Sequence, residues 1–327
     1  MRAIVTRAPG GFENTKLEEA ADPAVRDGDV LVEIHSVGLN PADAFLIEGR
    51  YPGGPKPPFT VGRDAAGVVV QSDSNGRWKV GTKVVALQCT KTNLAEGTLS
   101  ERQRIDADCL AEIPAGWSME EAAAAPLVYQ TAWRGLVVFG NAEPGKTVVI
   151  TGASGGVGSA AVQLAVGLGA KVVALSRSEE KRKRLVEIGA HHVVDAGDPE
   201  LKRKVMEAIG KSGANLALDT VGGPYLSTCV HVLGKGGMVA VVGVLGGVEG
   251  SIPIPSLMFK ESSVKGVVVS YYEPREAQTA WTGIVNTLAK IKQKPIVDSV
   301  YPLEKYEEAF GRLRGSPFGK VVVKCKS

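Results

Sequence analysis

Between residues 147 and 241 the chain alternates apolar runs with helix-like segments: TVVITGA, KVVALS, HHVVD, NLALDTV and MVAVVG, separated by stretches of helical composition. Each run is nearly continuous Val, Ile, Ala and Leu, not an alternation of apolar and polar residues. Strands of that kind need cover on both faces, which a parallel sheet flanked by helices supplies. This part of the chain is therefore expected to form an α/β, doubly wound parallel sheet.

The rest reads differently. At 327 residues the chain exceeds the usual size of one compact domain. Up to residue 118 short strands such as MRAIVTR, DVLVEIHSVGL, AAGVVV and KVVALQ lie between Gly, Pro and Asp turns, the pattern of a compact, mostly antiparallel, barrel-like domain. From Ser118 the segment MEEAAAAPLVYQTAWRGLVVFG has helical spacing. After residue 266 the pattern is mixed again, with a helix around 275–292 and a last strand, KVVVKC. The expected organisation is 1–118, 119–266 and 267–327, with the α/β domain in the middle.

The first apolar run leads into TGASGGVGSAAVQLA. Thr147–Gly152 reads as strand and Gly158 onward as helix, the context that a dinucleotide-binding turn requires. At the G-x-G-x-x-G spacing the positions are Ala153, Gly155 and Gly158, with Ser154, Gly156 and Val157 between them. The middle glycine lets backbone approach a pyrophosphate, and the helix N-terminus offers free N–H groups and partial positive charge. The next run ends in Ser176–Arg177. NAD-selective proteins place a carboxylate there for the ribose 2′-OH; a hydroxyl and a planar fork of donors suit a 2′-phosphate instead. Lys181, one helical turn on, adds charge. These residues favour NADPH; the alternative is that SRSEEKRKR is a capped helix with a solvated basic face. GNAEPGKT, Gly140–Thr147, matches a P-loop by letter, but a helix precedes it and a strand follows, so it reads as a connection.

Net charge is +3, and 22% of residues are charged, which gives no general argument for a nucleic-acid or membrane partner. No stretch has the length and apolarity of a membrane span, and the start lacks a signal-peptide core. Cys89, Cys109, Cys229 and Cys325 form no CxxC pair; four reduced thiols in a cytoplasmic protein are expected.

The order PGKTVVITGASGGVGSAAVQLA, GAKVVAL, EIGAHHVVD, LDTVGG, GGMVAVVG resembles the cofactor domain of the medium-chain dehydrogenase/reductase superfamily, and within it the zinc-free quinone oxidoreductase, zeta-crystallin-like branch. VGLNPADAFLIEGRYP and PFTVGRDAAGVVV resemble that branch's substrate-domain segments, and VYPLEKYEEAFGRLRGSPFGKVVV its C-terminal end. The resemblance implies a GroES-like substrate domain built from both chain ends around a Rossmann domain. Zinc-dependent relatives carry a cysteine, then a histidine–glutamate pair, in these segments; here Asn40, Arg63 and Asp64 stand there. Arginine does not ligate metal, and an amide is a poor zinc ligand. No zinc is expected, and the scattered His35, His191, His192 and His231 have no partner at ligand spacing.

Reduction of a conjugated acceptor needs no Lewis acid, only stabilisation of charge on an oxygen and one proton. By the resemblance Asn40 contacts the nicotinamide region, Asp43 orders the loop, and Tyr51 falls where enoyl-thioester reductases place a donor tyrosine. The alternatives are that Asn40–Pro41 is simply a turn and Tyr51 a rim aromatic packed on GGPKPP. Thr131, Gly243 and Lys320 join the implied cofactor contacts. Phe45 stands where quinone reductases often have tyrosine, which puts quinone specificity in question. The expected activity is an NADPH-dependent reductase of quinones or α,β-unsaturated carbonyls. The alternatives are an enoyl-thioester reductase, favoured also by Arg50 and Lys56, and a non-catalytic NADPH-binding protein. A homodimer through residues 264–270 is expected, because the last strands leave an apolar edge.

Overall fold

Ser118, where the sequence changes texture, starts a helix. In the computed structural model, which describes residues 1–326, the Ser118 hydroxyl accepts from the Glu121 N–H (3.1 Å) and the Glu121 carboxylate accepts from the Ser118 N–H (2.7 Å). This reciprocal cap opens the helix Met119–Ala123. Pro126 then begins a second helix, Pro126–Trp133, which widens into a π-helical stretch over Arg134–Phe139. GNAEPGKT follows as a turn into the strand Thr147–Ile150, so its residues do not form a strand–loop–helix phosphate loop.

Two compact units result. The first holds residues 1–127, 270–281 and the chain from 295 on; the second holds 128–269 and 282–294. The expected boundaries differ mainly at the helix Pro274–Lys290, whose second half groups with the second unit.

In the first unit a three-stranded sheet (Thr15–Glu19, Arg2–Thr6, Phe59–Thr60) accompanies a seven-stranded one centred on Asp29–Gly38. That strand pairs antiparallel with Ala66–Gln71, Arg102–Asp106 and the final strand Lys320–Lys324. Val30, Val32 and Ile34, two residues apart, are buried on one face. Each such side chain contributes about 1.5–3 kcal/mol when removed from water.

The second unit is a six-stranded parallel sheet in the order His192–Asp195, Lys171–Ser176, Thr147–Ile150, Ala214–Asp219, Leu233–Val241, Ser263–Gly266. Val148, Val149 and Ile150 are all fully buried, as the continuous apolar run requires. The strand order reverses at Thr147–Ile150, and ligands of such sheets bind beyond the carboxyl ends of the strands at that reversal. The glycine loop begins there.

The cysteines correct the expectation of four free thiols. Cys89 and Cys109 are joined by a disulfide, while Cys229 and Cys325 are free and buried. The Leu87 N–H donates to the Cys109 carbonyl (2.8 Å), so backbone pairing brings together residues that sequence spacing leaves apart. The cysteines therefore no longer argue for a reducing compartment. Among the described residues no helix is long and apolar enough to cross a membrane.

Candidate active site

The carboxyl ends of the second unit's strands gather most of the expected cofactor residues. Gly152 turns the chain with φ +54°, and a Cβ there would lie 2.4 Å from the Thr220 hydroxyl. The tight turn that the spacing assigned to Ala153 is thus made one residue earlier; Ala153 itself is buried, its N–H donating to the Leu175 carbonyl (3.1 Å). Gly158 sits against the loop so closely that a Cβ would be 2.2 Å from the Gly152 carbonyl. At Gly155, by contrast, the nearest atom to a built Cβ is the Gly152 carbonyl oxygen at 3.5 Å, an ordinary contact, so the start of the helix Gly156–Gly167 is not crowded there. Gly156, Val157 and Gly158 supply first-turn N–H groups that have no carbonyl partner within the helix. A pyrophosphate would be held by these donors, and the missing side chain at Gly155 leaves their approach uncrowded.

Ser176 is buried and its hydroxyl donates to that of Ser154 (3.5 Å), joining two expected site residues. The Lys181 N–H donates to the Ser178 hydroxyl (3.4 Å), so the helix-cap reading of SRSEEK is true of this part. Arg177 is exposed beside Ser176. Arg182 was not singled out in the sequence. Its guanidinium donates to the carbonyls of Ser176 (3.2 Å) and Arg177 (2.8 Å) and pairs with Asp195 at 3.1 Å, closing the end of the strand. Helical spacing from the Ser178 cap was the available signal. Gly243 follows the strand Leu233–Val241, and Thr131 lies buried in the helix Pro126–Trp133.

The first unit brings together Asn40, Asp43, Tyr51 and Lys320, with Arg63 and Asp64 among them. Asn40 ends the long strand and precedes the helix Pro41–Ile47. Its backbone N–H donates to Asp43 Oδ2 (2.8 Å), half of a capping arrangement. Its side chain is committed elsewhere: Nδ2 donates to Asp64 Oδ2 (3.0 Å) and the Gly38 carbonyl (3.1 Å), and Oδ1 accepts from Lys320 Nζ (2.6 Å). Both amide hydrogens are therefore used, and Asn40 can offer a ligand only the remaining lone pair of Oδ1.

Asp64 is fully buried and fully partnered. Oδ1 accepts from the Leu127 N–H (2.8 Å), and Oδ2 from Asn40 and from Lys320 Nζ at 3.1 Å. Lys320, expected among the cofactor contacts, has its ammonium in this cluster with only 3% of the residue exposed. Arg63 completes a balance of two buried cations and two buried carboxylates, the condition under which charges tolerate dry surroundings. Its guanidinium lies 4.6 Å from the centre of the Tyr51 ring and its Nε 4.0 Å from Asp43 Oδ1. Burial pushes the Asp43 carboxyl up to about 6, against the opposing pull of Arg63, the Asn40 N–H and Lys320. Among the described residues no group of three or more His, Cys, Asp or Glu is placed to hold a metal ion. Of the two basic residues noted near Tyr51, Arg50 is paired with Glu48 (2.9 Å) and lies over Phe45, while Lys56 is exposed.

Residues 26–115 match the model of the alcohol dehydrogenase GroES-like domain and residues 156–286 that of the zinc-binding dehydrogenase family. Human quinone oxidoreductase is 32% identical over 94% of this chain and 92% of its own. The quinone oxidoreductase of Lama guanicoe is 31% identical over 100% of this chain and 98% of its own. A crystal structure described as an NAD-dependent alcohol dehydrogenase superimposes with a TM-score of 0.91 at 29% identity, covering 99% of both chains. The GroES-like and Rossmann-type halves expected from the sequence are thus both present, and the chain is an oxidoreductase that belongs to the quinone oxidoreductase branch of the medium-chain dehydrogenase/reductase superfamily.

Proposed function

We propose that the protein is an NADPH-dependent, zinc-independent reductase that transfers hydride to quinones or α,β-unsaturated carbonyl compounds. The observation that carries this reading is the set of contacts around Asn40 and Asp64. At two of the positions where zinc-dependent relatives place ligands, Asn40 and Asp64, the polar side-chain atoms here are directed at each other and at the ammonium of Lys320. A lysine cation and an arginine in that place repel a second cation. NADPH would be held by the loop from Ala153 to Gly158 and by Ser176 and Arg177; when bound it supplies a hydride. The chain's own residues do the remainder. In this reading the remaining Oδ1 lone pair of Asn40 serves the nicotinamide amide, as the family resemblance implies, and the Tyr51 phenol donates the proton that the reduced acceptor needs.

An enoyl-thioester substrate is the second reading, supported by Tyr51 and the exposed Lys56. The test is turnover by purified protein of a simple quinone, a small enone and an enoyl thioester, each with NADPH and with NADH. Both nucleotides are needed because the solved relative above carries an NAD-dependent description. Reduction of the quinone or enone with NADPH is expected; preference for the thioester selects the second reading, and nucleotide binding without any turnover makes the protein a binder.

The homodimer is part of the same proposal. Ser263–Gly266 is the outer strand of the parallel sheet, and the nearby helix Ile254–Phe259 exposes Ile254, Met258 and Phe259. An open strand edge beside apolar surface favours pairing with a second copy through residues 264–270. Sedimentation is expected to give a dimer, and monomer alone at micromolar concentration removes the reading.

A further inference from the structure

A buried guanidinium normally engages its donors, because removing a cation from water is costly unless hydrogen bonds replace the lost solvent. Arg63 departs from this. Its side chain is 5% exposed, yet neither Nε nor Nη2 has a hydrogen-bond partner. Those two nitrogens are donors of the planar fork that carboxylates engage in bidentate fashion. The carboxylate beside them, Asp43, stops short: Oδ1 is 4.0 Å from Nε and is itself without a partner. Asp43 is held back by its other oxygen, which accepts the Asn40 N–H. The fork is therefore not oriented by the ion pair.

What it does engage is a ring face. The Arg63 guanidinium carbon lies 4.6 Å from the centre of the Tyr51 ring, inside the range of cation–π attraction. A guanidinium is flat and weakly hydrated, so it stacks on an aromatic face in a way an ammonium does not. Tyr51 is only half-buried. It is followed by Pro52, Gly53 and Gly54, all exposed, and Gly53 has φ +69°. The ring also packs against the buried core of the first unit, and Arg63, itself anchored by buried neighbours, covers one of its faces. The Arg63 carbonyl accepts from Gln88 Nε2 (2.7 Å), and the next residue is the fully partnered Asp64.

We infer that Arg63 is a positioning residue for Tyr51: the stacked guanidinium fixes the plane of the phenol and with it the direction in which the hydroxyl donates. The inference rests on the reading of Tyr51 as proton donor. It gives a role to an arginine that sits in a metal-ligand position without ligating ability.

The test compares Arg63→Lys in two backgrounds. Lysine keeps the charge beside Asp43 and so preserves the cluster, but it cannot stack as a plane. In the wild-type background kcat for an enone is expected to fall about tenfold while KM stays within about twofold, the size of a desolvated cation–π contact. Tyr51→Phe keeps the ring and removes the hydroxyl; kcat is expected to fall roughly 100-fold, the size of a general-acid contribution. Arg63→Lys added to Tyr51→Phe should then cost no more than about twofold, because no phenol is left to aim. A full tenfold loss in both backgrounds overturns the inference, as does a rise in KM alone. Unchanged kcat in Tyr51→Phe overturns the proton-donor reading instead, which separates the two failures. Should the lysine variant not fold, Arg63→Gln is judged by the same pair of backgrounds.

Discussion

The glycine loop of the second unit, in the proposed role, and the polar cluster of the first are built to hold charge by opposite means. The loop uses backbone: N–H groups at a helix start beside the uncrowded Gly155, while the buried carboxylate next to it, Asp219, is taken up by the Thr151 hydroxyl and the Val221 and Gly222 N–H groups. The cluster uses side chains: Asp43 and Asp64 against Arg63 and Lys320, closely packed and almost out of solvent. Backbone donors carry no desolvation cost of a full ion, so such a site tolerates being empty. A set of buried ions does not, because each depends on the others for its solvation. The first kind of site is thus free to exchange a ligand, while the second is a permanent part of the fold that can present only its unsatisfied edge.

The largest expected effect tests that permanence. Lys320→Met removes one partner of the Lys320–Asp64 pair and leaves a fully buried carboxylate with neutral donors only. Unfolding by denaturant is expected to show a loss of about 3–5 kcal/mol, most of it recovered when Asp64→Asn is added. A loss under about 1 kcal/mol would put the pair in the class of solvated surface bridges and dissolve the contrast between the two regions.

The next effect is a pH dependence belonging to the cluster alone. Asp43 has its folded-state pKa raised to about 6 by burial, above the usual unfolded value. The folded state therefore binds this proton more tightly than the unfolded chain. The sign follows: between about pH 4 and pH 6 the group's contribution to stability falls as pH rises, and above that range the full penalty of a buried carboxylate is present. Relative to Asp43→Asn, the wild type is expected to lose roughly 2–3 kcal/mol of unfolding free energy from pH 4 to pH 7. Urea titrations of both proteins across that range check it; parallel curves would mean that Arg63 neutralises Asp43 fully despite the 4.0 Å gap.

The two regions also differ in how far they could be read from the sequence. A backbone site writes itself as glycines at fixed offsets between a strand run and a helix run, so Gly155 and Gly158 were legible and only the turn residue shifted, to Gly152. The cluster was legible residue by residue through resemblance, but not as a constellation. Lys320 and Asn40 are 280 positions apart, and no local pattern says that they meet. Arg63 was read for what it cannot do, ligate zinc, and its stacking on Tyr51 depends on a turn whose course the sequence does not dictate. The Cys89–Cys109 bond failed for the same reason: its spacing of 20 follows no motif, and the pairing is made by neighbouring strands.

The smallest effect, and the most selective, falls on the second unit's rim. Arg177 is exposed, and in the proposed reading it is the residue that distinguishes the two nucleotides by charge, where the loop does not. Its neighbour Arg182 is the residue that closes the strand end, through two carbonyls and Asp195, so the proposal places the structural and the recognition duties of this segment on different arginines. Arg177→Ala should therefore leave stability within about 0.5 kcal/mol, as for ordinary surface substitutions. A bidentate contact to the 2′-phosphate is worth about 1.5–3 kcal/mol. Solvent exposure sets the expectation at the lower end, about tenfold weaker NADPH binding. NADH, which lacks the phosphate, should bind as before. Calorimetric titration with both nucleotides decides among the outcomes. Equal weakening of both would make Arg177 part of the loop's general support, which the geometry assigns to Arg182. No change in either would leave Ser176 and Lys181 to hold the phosphate. If the wild type binds NADH as tightly as NADPH, the segment is a helix cap alone, and the backbone loop is the whole of the nucleotide site.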